Sequence, residues 1–161
     1  MNLSIQNFRE DITYQEADIT CTDKSQYLDS IIACSIVVFE NLIDLPLKIK
    51  FEWKSFQEEL TKDDFLFVEE TQTLFFASIY QWGAIDTVSK ELKRHESGEG
   101  ISIRCETIYI LIISELYAES CRLNGDRIDN VPIDLPWESE EYEDRIEFQS
   151  IVFGHQILKT K

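Results

Sequence analysis

The sequence predicts a mainly α, helix-dominated single domain over residues 1–161, with α+β as the alternative. Three observations predict it. Three long stretches carry apolar residues at helical spacing. Only 5 Gly and 3 Pro occur, few for the many tight turns of an all-β chain. One segment alone alternates as a strand does, which allows at most a small antiparallel sheet.

The N-terminal segment Leu3 to Ile19 is ambiguous, since Phe8, Ile12 and Tyr14 can line a helix. The first predicted helix runs from about Ser25 to Ile43. Asp23 or Ser25 caps it and Pro46 stops it. Leu28, Ile31, Ile32, Val38, Phe39 and Leu42 form its apolar stripe. Leu47-Lys48-Ile49-Lys50-Phe51-Glu52-Trp53-Lys54 alternates apolar and charged residues, the strongest strand signal in the chain. A strand needs a partner; the candidates are Asp64 to Val68 and Ile146 to Leu158. The second helix spans about Thr71 to Arg94, with Leu74, Phe75, Ile79, Trp82, Ile85, Val88 and Leu92 on one face. Acids at its start and Lys90, Lys93 and Arg94 at its end suit the helix dipole. The third runs from about Ser102 to Leu123 and ends at Asn124-Gly125. It is apolar all round from Ile108 to Ile113 and so belongs at the centre. A rival reading makes that stretch a buried strand. No internal repeat and no low-complexity linker stands out.

Hydrophobic residues make up 43% of the chain and aromatics 12%, enough for a full core and against disorder. The N-terminus lacks the basic and apolar regions of a signal peptide. Ile108 to Ile113, closed by Glu106 and Glu115, is too short to span a bilayer. A cytoplasmic protein is expected. Cys21, Cys34, Cys105 and Cys121 form no C-x-x-C pair and read as reduced, buried residues. His95 and His155 have no partner at metal-ligand spacing, so neither metal nor cofactor is expected.

The charge carries the most information. The chain holds 31 Asp and Glu against 15 Lys and Arg, a net charge of -16. This disfavours direct contact with nucleic acid or an acidic membrane. Between Asp126 and Glu147 nine acids stand against Arg127 and Arg145; between Glu58 and Glu70 six stand against Lys62. Aromatics sit within the first cluster, and aromatics anchor many interfaces. The predicted partner-binding residues are therefore Trp137, Glu138, Glu140, Glu141, Tyr142, Glu143 and Asp144. Glu58, Glu59, Asp63 and Asp64 form a second patch. A basic protein partner would relieve the repulsion and be steered in quickly.

No phosphate loop, dinucleotide fingerprint, nucleophile elbow or zinc-protease motif is present, so no catalytic residue is expected. Asp44 with Glu52-Trp53-Lys54 is similar to the Asp…Glu-x-Lys pattern of restriction-type nucleases, and a metal-dependent enzyme is the alternative. An acidic nucleic-acid mimic acting as an adaptor is another. In general character, a single acidic domain without a catalytic motif, the chain resembles bacterial polymorphic-toxin immunity proteins of the contact-dependent growth inhibition type. The resemblance implies a tight complex with a cationic toxin domain, often a nuclease. It also implies occlusion of the active site by carboxylates that imitate phosphates.

Overall fold

The computed structural model describes residues 2–12, 14–24, 29–40, 46–54 and 59–161. Among them there is no α-helix; fifteen strands and one 3-10 turn at Lys62–Asp64 form four sheets. The helix-dominated expectation is thus overturned. Sheet I has the order β1 (Asn2–Phe8), β3 (Ala33–Glu40), β4 (Leu47–Trp53), β2 (Ile19–Thr22), with β2 parallel to β4. Sheets II and III are antiparallel meanders: β5 (Phe65–Val68), β6 (Thr73–Ala77), β7 (Gln81–Asp86), β8 (Glu91–Ser97), then β9 (Ser102–Cys105), β10 (Tyr109–Ile113), β11 (Tyr117–Arg122), β12 (Arg127–Pro132). Sheet IV holds β13 (Trp137–Glu141), β14 (Arg145–Ser150) and β15 (Gly154–Lys159).

Each predicted helix resolves into strands. The described part of the first contains β3, while Ser25 and residues 41–43 lie outside the described residues. The second is β6, β7 and β8, and the third is β9, β10 and β11. The alternating segment is indeed a strand, β4, yet its partners are β3 and β2. Both suggested partner segments are strands as well, but of sheets II and IV. Leu3 to Ile19 opens with β1.

The misread periodicity has one cause. The sheets are stacked in sequence order, and the middle two are buried on both faces. Strands packed on both sides read as continuous apolar runs. β6 sends Leu74 and Phe76 toward sheet I, and Phe75 and Ala77 toward sheet III. β10 sends Ile110 and Ile112 toward sheet II, and Leu111 toward sheet IV. The I–II layer also takes Ile49, Phe51 and Trp53 from β4, where Phe51 stands edge-on to Phe76 at 4.9 Å.

The stack is also an internal repeat, contrary to the sequence reading. β6, β10 and β14 begin at residues 73, 109 and 145, a step of 36. Ser78 N–H donates to the Gln81 carbonyl at 2.8 Å, and Ser114 N–H to the Tyr117 carbonyl at 2.9 Å, closing equivalent hairpins. Register slips fall between Ala84 and Ile85 and between Ser120 and Cys121, one repeat apart. Such stacking of successive meanders resembles the blades of radial repeat folds.

Few glycines suffice because other residues make the turns. Gln72 and Lys90 adopt left-handed φ values of 52° and 57°. The Asp86 carboxylate accepts from the Val88 and Ser89 N–H groups, and Asp134 from those of Val152 and Phe153. The first is an Asx-type turn; Asp134 instead holds the β14–β15 turn from a distant segment. At Gly83 the requirement is space: a Cβ would lie 2.5 Å from the Arg94 carbonyl oxygen and the Phe76 ring.

The two faces of β14 test this arrangement. Phe148 is fully buried against sheet III and its neighbour Gln149 is exposed. Phe148→Ala should cost about 3–5 kcal/mol and Gln149→Ala less than about 0.5 kcal/mol, read from urea unfolding.

Candidate functional site

Sheet IV ends the stack, and its sequence changes accordingly. Facing outward, sheet II has Phe75, Ala77, Trp82 and Ala84, and sheet III has Leu111, Ile113, Ala118 and Ser120. At the corresponding ladder positions sheet IV has Glu147, Gln149, His155 and Ile157. A polar outer face is what a terminal repeat needs.

β13 adds acids to that face. Glu138 and Glu140 stand opposite Gln149 and Glu147, and residues opposite in a ladder share a face. The Glu138 carboxylate makes no ion pair or hydrogen bond to the described residues. The Glu147 carboxylate accepts from Arg145 Nε at 2.7 Å and lies 3.0 Å from His155 Nε2. The Arg145 bond, then the one from His155, holds its carboxyl below the usual range. Together Glu138, Glu140, Glu147, Gln149 and His155 line an open depression of about 500 Å³.

The predicted residues divide. Glu138, Glu140, Tyr142, Glu143 and Asp144 are exposed on the outer face or on the β13–β14 turn. Tyr142 is 44% exposed, donates its hydroxyl to Glu140 at 2.6 Å and carries the Arg145 guanidinium 4.3 Å above its ring. Glu143 pairs with Lys161 at 2.8 Å. Trp137, expected as an anchor, instead tucks inward against Phe148 at 5.4 Å. Its strand parity turns it toward sheet III. Glu141 shares that side and binds Arg104 of β9 at 2.7 Å, tying sheet III to sheet IV.

The second patch lies at the junction of sheets I and II, with sheet III between it and the first. Glu58 falls outside the described residues. Glu59 is exposed and 3.4 Å from Arg9. Asp63 is exposed, but Asp64 is structural: its carboxylate accepts from the Thr61 N–H at 2.6 Å and caps the 3-10 turn.

The nuclease-like set is not assembled among the described residues. Asp44 lies outside them. Glu52 is buried and held by Lys50 at 2.9 Å and Thr22 Oγ1 at 2.8 Å. The described residues contain no cluster of three His, Cys, Asp or Glu placed to hold a metal ion. Cys21, Cys34 and Cys121 are buried thiols as expected; Cys105 is exposed. Burial pushes the Cys21 thiol up to about 12.

Sequence reading missed three features. One is the outer-face trio of Arg145, Glu147 and His155. Another is the exposed hairpin tip Ile151-Val152-Phe153, flanked by exposed Leu135. The step from Ser78 to Ser114 to Ser150 was the available signal for the hairpin. The third is a buried polar seam between sheets II and III. Glu119, 1% exposed, accepts from Arg94 at 2.8 Å and Arg127 at 3.0 Å. Burial raises its pKa, but the bonds from Arg94, Arg127 and Cys121 together with the Arg94 charge outweigh burial and leave the carboxyl below its usual range. Arg94 also lies 4.8 Å over the Trp82 ring. This seam fastens two layers of the scaffold.

No protein-family model matches the chain, and no curated protein is similar to it. No helix among the described residues is long and apolar enough to cross a membrane.

Two outcomes follow for the scaffold. Glu119→Ala strands a buried guanidinium and should cost about 3–5 kcal/mol by denaturant unfolding. His95, half-buried and 2.5 Å from Gln81 Oε1, has its pKa lowered to about 4 by burial and then by Lys24. The unfolded histidine binds its proton near 6.5, so between pH 6.5 and 4 the unfolded state holds more protons. Stability should fall as pH drops through that window. His95→Gln should flatten that part of the pH profile, measured as unfolding midpoints.

Proposed function

We propose that this chain is an acidic binding protein that neutralises a cationic protein through the outer face of sheet IV. The best-supported partner is a bacterial toxin domain, which makes the chain an immunity protein acting in the cytoplasm. One observation carries the reading. At the repeat positions that are apolar in sheets II and III, sheet IV presents Glu147, Gln149 and His155, with Glu138 and Glu140 alongside. A terminal repeat needs polarity there, but polarity of either sign would serve. Within β13 through the start of β14, six acids stand against the single Arg145.

The scaffold suits the role. Glu138 and Glu140 are held on one strand, two residues and about 7 Å apart. Carboxylates fixed by a ladder lose little further freedom on binding, which favours tight association. Occluding a toxin's active site needs only such a fixed acidic surface and no chemistry of its own.

The test is association kinetics with the cationic toxin domain that this reading expects to be encoded beside the gene. The rate should fall steeply with salt. The double change Glu138→Lys with Glu140→Lys should slow association about tenfold or more. Asp63→Lys should leave it nearly unchanged, because that residue lies two sheets away. Equal association by wild type and the sheet IV double variant would sink the assignment of this face.

A further inference from the structure

Sheet IV stops one strand short of its neighbours. In sheet II, β7 is covered by β8, and in sheet III, β11 is covered by β12. Their equivalent, β15, has no hydrogen-bonded strand of the described residues on its far side, although β12 packs against it toward its Lys159 end. We propose that this open edge receives an extended lysine- or arginine-bearing segment of the cationic partner, which completes sheet IV as a fourth strand. The proposal rests on the reading above and specifies how the partner is gripped.

Ladder geometry shows which groups are offered. The Thr160 N–H donates to the Asp144 carbonyl at 2.9 Å, toward β14. Antiparallel pairing alternates, so the N–H and C=O groups of His155, Ile157 and Lys159 point to the open edge. Lys159 is already tied to sheet III. Its N–H donates to Asp129 Oδ2 at 2.9 Å, and its carbonyl accepts from Ser120 Oγ at 2.5 Å. His155 and Ile157 remain, each presenting one donor and one acceptor. Edges left open invite a strand unless charge, proline or a bulge protects them. β12 carries Arg127, Asp129 and Pro132 along its length; β15 has His155, Gln156 and Ile157 at the exposed stretch.

Charge selects the occupant. A strand laid here would lie directly beside His155, Ile157 and Lys159 of β15 on its outer face, with Glu147 and then Glu140 on the strands beyond, and Asp129 at the same edge on its inner side. Basic side chains at alternate positions share one face, and turned outward they reach across β15 toward Glu147 and Glu140. A second copy of this chain would bring another net charge of -16 to the same edge, which opposes pairing. Main-chain bonds supply the affinity of an added strand and side chains its specificity.

The test uses a short peptide alternating Lys and Val, its Glu counterpart, and a Lys peptide N-methylated at alternate amides. Amide exchange of the full chain is followed by NMR at low salt. The Lys peptide should slow exchange at His155 and Ile157 about tenfold, and the other two peptides should not. Equal slowing by the N-methylated peptide would mean that it merely coats the acidic face, and would overturn the proposal. Protection of the same amides that rises with protein concentration alone would give the edge to a second copy and overturn it too. Ile157→Pro removes the outward donor at a position where β14 is not engaged. It should weaken the Lys peptide and the cationic partner alike. If that variant stays folded and binds the partner as wild type does, while Glu138→Lys with Glu140→Lys fails, the edge proposal falls and the acidic-face reading stands. If neither variant changes partner binding, both fall.

Discussion

A sheet packed between two others must be apolar on both faces, and this requirement shapes the whole molecule. β6 meets it with Leu74 and Phe76 on one side and Phe75 and Ala77 on the other. β10 does so with Ile110 and Ile112 against Leu111. Burial of this kind contributes about 25 cal/mol per Å², and it leaves no polar face in the middle of the stack. The chain's acids are consequently displaced to turns, edges and the two ends. Sheet IV, covered on one side only, is where the repeat can change from Leu111 to Glu147 without leaving a buried charge.

Many acids that inflate the net charge have ordinary duties. Asp18 accepts from the Lys48 N–H, Asp64 caps the 3-10 turn, and Asp86, Asp129 and Asp134 satisfy backbone donors at turns and strand edges. Glu119 is buried between sheets II and III and is paired with two arginines, as buried Glu52 is paired with Lys50. Glu138, Glu140 and Glu143 have no such structural duty, which separates them from the rest. The charge of this protein is therefore two populations, one that shapes loops and one displayed on a rigid terminal sheet.

Part of this was legible in the sequence. β4 was, because only one of its faces joins the I–II core and Lys48, Lys50 and Glu52 mark the other. Ile108 to Ile113 was legible only in the rival reading, as the buried strand that β10 is, because a strand apolar on both faces has no period of two. Phe75, Ile79 and Trp82 fell at helical spacing by coincidence, with the β6–β7 turn between them. The repeat was hidden because its copies share a geometry and hardly any side chains: Trp82 corresponds to Ala118 and then to His155. The acidic cluster was found, yet Trp137 was misjudged because side-chain direction in a strand depends on register, and register was unknown.

The account turns on sheets II and III forming one doubly covered core, with sheet IV as the terminal layer. Native-state hydrogen exchange in rising denaturant tests this most directly. Amides of β6, β7, β10 and β11 should share a single opening free energy equal to global unfolding, and those of β13 and β14 should open at lower cost. If β13 and β14 were protected as strongly as β6 and β10, or if sheets II and III opened independently of each other, the doubly covered core would be the wrong description.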